Sequence, residues 1–271
     1  MSKKLSNWLV EPGLRPDLSA IDPGSSPGGP NTKKELSEAA EKMVRELSDL
    51  QVRLWAERKR SLLLVLQALD AGGKDGTIRK VFTGINPQGV RVHSFKVPSE
   101  EERSHDFLWR IHAGTPGLGE IGVFNRSHYE DVLIVRVNEL VPKPVWHKRY
   151  KLIRDFEENL VEGGTEIVKV FLHISKEEQA ERFRARLEDP TKLWKFSKDD
   201  LAVREKWDLY QQAYTDAIAE TSTEGAPWYV VPADSKRYRD WAVLRILVET
   251  MREMDPQFPD PEPGLEHVEV V

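Results

Sequence analysis

The chain has 271 residues with a formal net charge of −5, and 39% of its residues are hydrophobic. This length and composition fit one large α/β domain, and the acidic balance disfavours general nucleic-acid binding. The absence of cysteine excludes disulfides, thiolate catalysis and cysteine-ligated zinc, and it fits a reducing cytoplasm.

No part of the sequence indicates a membrane segment. No run approaches the roughly 18 apolar residues that a membrane span needs. Residues 1–14 contain lysines but no apolar stretch of the kind that marks a secretory signal. We therefore expect a cytoplasmic protein that has neither a membrane nor a nucleic acid as a partner.

The first 31 residues are rich in proline, glycine and serine, a composition typical of an extended arm without a core of its own. Trp8 and Leu9 could pack either on the body of the protein or on a neighbouring subunit. We assign residues 32–258 to a single domain and residues 259–271, which contain three prolines, to a C-terminal tail.

From Thr32 onwards the pattern is helical. Thr32 and Glu35 match a capping box at a helix start. Apolar residues then recur at steps of three and four, which places them on one helical face: Leu36, Ala40, Met43, Leu47, Leu50 and Leu54. The pattern predicts a long helix docked on the body of the protein.

Four continuous apolar segments predict the strands of a parallel sheet that is covered on both faces. They are Leu62–Leu69, Ile121–Phe124, Ile167–Ile174 and Trp228–Val231. Helical patterns separate them, and a last helix follows them from about Trp241 to Met254. The alternating order predicts a three-layer α/β/α domain.

The first predicted strand ends in a glycine turn. Residues Ala68–Asp75 match most of a Walker A loop, with alanine at the first glycine position. Gly72 and Gly73 would let the backbone N–H groups point at phosphate oxygens, the next helix would add its positive N-terminal end, and Lys74 would supply a cation. We therefore predict a phosphate site, with a purely structural turn as the alternative.

Two acidic residues distinguish this segment from the usual Walker A loop. Asp75 follows the lysine, where a serine or threonine usually binds Mg²⁺. Asp70 lies at the mouth of the loop, where a bare carboxylate would repel phosphate unless a divalent cation lay between them. Asp70 is thus a candidate metal ligand; the alternative is a strand-end aspartate that caps the next turn.

A second strand runs into a helix at residues 119–131. Because the carboxyl ends of adjacent parallel strands open into one crevice, Asn125 and Arg126 are expected opposite Lys74. Arg126 could bind an acceptor phosphate with two hydrogen bonds. Asp131 is a candidate metal ligand or lysine-orienting group, with a solvated helix face as the alternative. For Glu130 we expect a capping box with Ser127.

The segment from about residue 178 to 204 follows the third of these strands, and we interpret it as a lid. Between Arg182 and Lys198 it carries six Lys or Arg and two acidic residues. Arg182 and Arg186 share a helical face and could neutralise a transferring phosphoryl group. The alternative is an exposed basic helix with ordinary surface ion pairs.

Together these residues resemble the type-2 polyphosphate kinase family. The matching blocks cover most of residues 32–258 in collinear order, and they include LDAGGKDGT (69–77), FKVPSEEERSHDFLWRIH (95–112), GEIGVFNRSHYEDVL (119–133) and RFRARLEDPTKLWKFSKDD (182–200). The wording of the third block is similar to the branch that accepts AMP and ADP, in which Asn125 stands where other branches carry aspartate.

The resemblance implies a P-loop kinase fold like that of thymidylate kinase, with a helical lid. It also implies reversible, Mg²⁺-dependent phosphoryl transfer from inorganic polyphosphate to AMP or ADP, with Mn²⁺ as an alternative metal and other nucleotides as further substrates. Its residues would be Asp70 and Lys74 in the Walker A loop, Asn125 and Arg126 in the second loop, and Arg182 and Arg186 in the lid.

The phosphate chain would be bound first by the glycine loop, residues Ala71, Gly72, Gly73, Lys74, Asp75 and Gly76. A polymeric donor also needs an extended basic track. Lys148 and Arg149, in a stretch from Lys143 to Arg154 with five Lys or Arg and no carboxylate, are candidates for it, together with Lys195 in the lid.

Two rival functions remain at this point: an ATP-dependent nucleotide kinase, and a non-catalytic module that only binds nucleotide or polyphosphate. Asp70 and the basic lid disfavour the second, because binding alone requires neither. The arm and the long helix also make a homo-oligomer, a dimer or a tetramer, our expectation.

Overall fold

The computed structural model describes residues 5–265, 268 and 270. Within them, six strands form one sheet in the order β1-β6-β5-β2-β4-β3, in which every pair is parallel except β1 with β6. The strands are β1 (Leu9–Val10), β2 (Ser61–Gln67), β3 (Val90–Ser94), β4 (Ile121–Asn125), β5 (Thr165–His173) and β6 (Trp228–Pro232).

Ten α-helices connect and cover these strands in the described part of the chain. They are α1 (Lys33–Glu57), α2 (Lys74–Val81), α3 (Glu100–Ser104), α4 (Trp109–His112), α5 (Ile134–Val137), α6 (Lys143–Glu162), α7 (Lys176–Glu188), α8 (Asp199–Glu205), α9 (Trp207–Thr221) and α10 (Lys236–Met254). The prediction of a three-layer α/β/α fold with a parallel sheet is confirmed.

Strand β2 is central, and all seven of its residues are buried. Successive side chains of a strand point to opposite faces, so Leu62 and Leu64 enter one core while Leu63 and Val65 enter the other. Helices α1 and α10 contribute to the first core, whereas α6 and α9 contribute to the second. A continuous apolar strand is therefore what two helical layers require.

Helix α1 begins as its sequence predicts. Thr32 and Glu35 form the complete capping box, with each side chain accepting from the other residue's backbone N–H. Leu47 and Leu54 are fully buried on the face that meets the core. Helix α10 ends at the predicted Met254 but begins at Lys236, five residues before the predicted start, because Ser235 caps it.

The sequence pattern missed β1 and β3. Strand β3 lies at the edge of the sheet, and four of its five residues are exposed. Its sequence, Val-Arg-Val-His-Ser, lacks the continuous apolar run by which the other parallel strands were found. An edge strand buries one face at most, so its polar residues hide it from such a search.

The N-terminal arm packs on the body of the same chain. Leu9 and Val10 pair antiparallel with Tyr229 and Trp228 of β6. Trp8 is 2% exposed, and its indole donates a hydrogen bond of 2.9 Å to the hydroxyl of Tyr238 on α10. Of the two alternatives for Trp8, the structure selects the body of the chain.

A buried ion pair joins β5 to α6. Lys169 Nζ lies 2.5 Å from Glu157 Oε2, and their side chains are 0% and 2% exposed. Lys169 also donates to the Tyr129 hydroxyl at 3.0 Å, and that hydroxyl donates to Glu157 Oε1 at 2.7 Å. The pair thereby fixes Tyr129, which follows the loop after β4.

In residues 5–265, 268 and 270, none of the helices combines the length and the apolar character that a membrane crossing demands.

We predict that Trp8→Ala destabilises the protein by about 3–5 kcal/mol, because it empties a packed site and removes the hydrogen bond to Tyr238. Urea unfolding followed by circular dichroism measures the change. Trp194→Ala is the matched control: Trp194 is 78% exposed, so its loss should change stability by less than about 0.5 kcal/mol. Equal losses in the two variants would show that the arm contributes no packing.

We further predict that Lys169→Met costs about 3–5 kcal/mol, because it leaves the Glu157 carboxylate buried without a partner. The double variant Lys169→Met with Glu157→Leu should lose clearly less than the sum of the two single variants. A thermodynamic cycle from denaturant titrations measures the coupling, and strictly additive losses would contradict the proposed pair.

Candidate active site

A crevice opens at the carboxyl ends of β2, β3, β4, β5 and β6, where parallel strands place their following loops together. Its volume is about 620 Å³, and residues 70–76, Asn125, Arg126 and the lid line it. Among the described residues that line it, ten are Lys or Arg and three are acidic: Asp70, Asp75 and Asp200. The crevice is therefore suited to a strongly anionic ligand, although the whole chain is acidic.

The turn after β2 requires glycine, because two of its positions leave no room for a side chain. A β-carbon at Gly72 would collide with the β-carbon of Ala68, and one at Gly73 would collide with a guanidinium. Gly73 has φ +104°, which favours glycine, and it precedes Lys74, the first residue of α2. Backbone N–H groups and a helix N-terminus are thus presented to the crevice, as anion binding requires.

Lys74 lies at the floor of the crevice. Its Nζ donates to the carbonyl oxygen of Ala68 at 2.7 Å. The pKa of Lys74 is lowered to about 8, because burial and the nearby charge of Arg126 outweigh the opposing effect of Asp70. A bound anion would stabilise the charged, protonated form of this lysine.

Asp70 and Arg126 form an ion pair across the crevice. Arg126 Nη2 lies 3.1 Å from Asp70 Oδ1, and the Asp70 side chain remains 24% exposed. Burial alone lowers the pKa of Arg126, but the carboxylates of Glu130 and Asp70 raise it above its ordinary value. The prediction that Asn125 and Arg126 lie opposite Lys74 agrees with this geometry, since all three residues line the crevice.

Asp75 connects three parts of the crevice. Asn125 Nδ2 donates to Asp75 Oδ1 at 2.7 Å, and Lys195 of the lid lies 4.0 Å from Asp75 Oδ2. The residue that replaces the usual serine or threonine therefore links the glycine turn to the second loop and to the lid.

The two lid arginines differ in their contacts. Arg182 is 8% exposed, and its guanidinium donates to the carbonyl oxygens of Ala71 at 2.9 Å and Ala233 at 2.7 Å, and to Glu178 at 2.6 Å. Arg186 donates to the carbonyl oxygen of Lys195 at 3.1 Å. Both line the crevice, but Arg182 also fastens the lid to the glycine turn.

Three predicted site residues do not line this crevice in the described structure: Asp131, Lys148 and Arg149. Asp131 Oδ1 pairs with Arg149 Nη1 at 2.9 Å, and Arg149 also stacks on Phe107. Burial raises the pKa of Asp131 to about 6, against the effect of Arg149. Lys148 is exposed on α6. The metal role of Asp131 and the phosphate roles of Lys148 and Arg149 stay predictions.

The expected capping box of Ser127 with Glu130 is wrong. Ser127 Oγ accepts from the backbone N–H of Tyr129 at the start of a short 3₁₀ helix, His128–Asp131. Glu130 instead accepts from the Gln67 side chain at 3.2 Å. Its charge acts on both Lys74 and Arg126, so Glu130 belongs to the electrostatic surroundings of the crevice.

Sequence reasoning also missed crevice residues from the segments that follow β2, β3 and β6, among them Arg79, Lys96, Lys236 and Arg239. Lys236 and Arg239 could have been suspected from one signal, since the helix containing them follows a predicted parallel strand. No motif distinguishes them from ordinary surface cations, and the predicted start of that helix lay beyond both.

A divalent cation fits the crevice only when a bound phosphate compound supplies some of its coordinating oxygens. In the described ranges, no group of three or more His, Asp or Glu has the geometry to hold a metal ion. Mg²⁺ is commonly held by one or two carboxylates and by substrate phosphates, and Asp70 presents a partly exposed carboxylate beside the glycine turn. Asp70 is therefore the residue suited to share such an ion with bound phosphate.

The histidine nearest the second loop is not placed for covalent chemistry. His128 is fully buried and lies 3.2 Å from Glu157, and burial lowers its pKa. Because no phosphate can reach this side chain, His128 is not a candidate for a phosphohistidine.

We predict that tripolyphosphate affinity falls as the pH rises through about 8, because Lys74 with its pKa of about 8 loses its proton. Titration calorimetry in buffers of different ionisation enthalpy should reveal proton uptake on binding. Lys74→Arg is the control, since its guanidinium stays charged. The ligand's own ionisation affects both proteins equally, so the same pH dependence in both would contradict the role of Lys74.

Comparisons with known proteins agree with this geometry. The family described as Polyphosphate kinase 2 (PPK2) matches residues 31–259. An AMP/ADP-polyphosphate phosphotransferase of Meiothermus ruber is 52% identical over 97% of this chain and 99% of its own. An ADP-polyphosphate phosphotransferase of Rhodopseudomonas palustris is 49% identical over 97% of this chain and 95% of its own.

A solved structure gives the same result. The crystal structure of polyphosphate kinase 2 from Arthrobacter aurescens TC1 superposes with a TM-score of 0.94 at 42% identity, over 98% of this chain and 95% of that one. The glycine turn, the cation-lined crevice and the matched length all point the same way. This chain belongs to the polyphosphate kinase 2 family.

Proposed function

We propose that this protein transfers a phosphoryl group from inorganic polyphosphate to AMP and ADP, in a reversible reaction. The observation that carries the proposal is the crevice in which ten cations surround a glycine turn. The names of the relatives from Meiothermus ruber and Rhodopseudomonas palustris support the same donor and acceptors.

The transfer is an in-line displacement. An oxygen of the terminal phosphate of AMP or ADP attacks the terminal phosphorus of polyphosphate and forms a new P–O bond. The bond from that phosphorus to the bridging oxygen breaks, and the shortened chain leaves with the electron pair. Such transition states are loose, so positioning and positive charge provide most of the catalysis.

The residues of the crevice divide this work. The glycine turn and Lys74 bind the donor phosphates, and Arg126 holds the acceptor phosphate. Arg186, on the lid, neutralises charge on the transferring group. Arg182 also lines the crevice, although its guanidinium already donates to three carbonyl groups.

Asp70 is the proposed ligand for Mg²⁺, or Mn²⁺, shared with the phosphates. When bound, such an ion screens phosphate charge and polarises the phosphorus–oxygen bonds. Without it, the Asp70 carboxylate repels phosphate and remains paired with Arg126. Removal of divalent cations with a chelator should therefore abolish turnover.

An ATP-dependent nucleotide kinase and a binding module remain the alternatives. The first would need a site for the adenine base of its donor, whereas the lining here is dominated by charged side chains. The second would need neither Asp70 nor the lid. The proposal includes a cytoplasmic location and a homo-oligomeric state, dimer or tetramer.

The decisive assay supplies polyphosphate, Mg²⁺ and either AMP or ADP, without ATP, and measures ADP and ATP by chromatography. We expect both products. Asp70→Asn and Lys74→Ala should each lower the rate by at least about a hundredfold to a thousandfold, because each removes electrostatic stabilisation.

Matched controls are Asp49→Asn and Lys34→Ala, which make the same chemical changes at exposed positions of α1 and should retain the wild-type rate. Near-normal turnover in the Asp70 or Lys74 variant would contradict the assignment. A rate that depends on added ATP would favour the alternative kinase.

A further inference from the structure

Arg239 lies directly beneath the glycine turn. It belongs to the first turns of α10, it is 3% exposed, and it lines the crevice. A β-carbon at Gly73 would lie 2.9 Å from the central carbon of its guanidinium, and one at Gly76 would lie 3.3 Å from Nη2. The absence of side chains at these two positions makes room for this cation.

The guanidinium is held from one side only. Its Nε and Nη2 donate to Asp240 Oδ1 at 2.9 and 2.7 Å, and Asp240 in turn lies 3.3 Å from the hydroxyl of Thr77 in α2. Among the described residues, Nη1 donates no hydrogen bond, and it is the nitrogen nearest to the position of a Gly73 β-carbon. One nitrogen of a well-held guanidinium thus lies beside the turn with its hydrogen-bond capacity unused by the described residues.

The local charge balance favours an anion at this donor. Burial lowers the pKa of Arg239, and the neighbouring Arg182 acts in the same direction, whereas Asp240 opposes both. Lys74, which is half-buried, lines the same crevice. Like charges crowded in a region of low dielectric repel one another, and bound phosphate oxygens would relieve that repulsion.

We propose that Nη1 of Arg239 binds an oxygen of the donor phosphate chain, so that the chain leaves the glycine turn along the N-terminal end of α10, past Lys236. This rests on the proposed function. It differs from the track expected along α6, because Lys148 and Arg149 do not line the crevice in the described structure, whereas Lys236 and Arg239 do.

A purely structural brace for the turn is the competing explanation. A brace would position the whole crevice, so its loss would weaken all phosphate ligands together. If Arg239 instead binds only the donor chain, its loss should weaken the binding of that chain alone, because the acceptor phosphate is assigned to Arg126 across the crevice. The two roles are separable by comparing two ligands on one variant.

The experiment measures binding of tripolyphosphate and of AMP, each alone, to the full chain by titration calorimetry. Arg239→Met should weaken tripolyphosphate binding by about tenfold to a hundredfold, as expected for one lost hydrogen bond to a charged group. AMP binding should change by less than about twofold under the same conditions. Arg237→Met, an exposed neighbour on the same helix, removes the same charge and should leave both affinities unchanged.

Equal weakening of both ligands in Arg239→Met, or unchanged tripolyphosphate binding, overturns the proposal. If Arg239→Met shows no cooperative melting transition, Arg239→Lys replaces it, since it keeps the charge but cannot bond Asp240 through two nitrogens. The same selective loss is expected there, and its absence has the same meaning.

The binding measurement requires no turnover, so it separates this inference from the proposed function. A wild-type chain that makes no ADP or ATP from polyphosphate would contradict the function. A selective loss of tripolyphosphate binding in the Arg239 variant would still support Arg239 as a ligand for a phosphate chain.

Discussion

The structure depends on holding several cations against one tight turn of backbone. Lys74, Arg182 and Arg239 are each largely buried around residues 70–76. Carbonyl groups accept from Lys74 and Arg182, and Asp240 pairs with Arg239. Carbonyl dipoles and single carboxylates keep these charges in place without cancelling them, which is what a site for a polyanion needs.

The same constraint explains the glycines. The turn approaches the Ala68 side chain on one side and the Arg239 guanidinium on the other, so both contacts exclude a β-carbon. Phosphate binding is usually discussed through the N–H groups of such a turn. Here the missing side chains also make room for Arg239 of the last helix, which lines the crevice together with the turn.

Much of the fold could be predicted from the sequence because its physical signals are local. Continuous apolarity identified β2, β4, β5 and β6, and the capping box identified the start of α1. The edge strand β3 and the two-residue β1 were missed because short or exposed strands bury too little to leave a pattern.

In the candidate site, too, the residues marked by local patterns were predictable and those brought together by packing were not. The glycine turn, Asn125, Arg126 and the lid arginines were identifiable because each directly follows a predicted strand or has helical spacing. The partnership of Asp131 with Arg149 and the position of Arg239 beneath Gly73 join residues far apart in sequence. Such pairings depend on how helices pack across the sheet, and no local pattern encodes them.

The anchoring of Arg182 limits how the lid can move. Its guanidinium joins α7 to Ala71 and to Ala233, the residue after β6. The first half of α7 is therefore tied to the loops that follow β2 and β6. If the predicted lid opens, Arg186 and Lys195 lie beyond this anchor and would move, while the contacts of Arg182 would hold it at the turn.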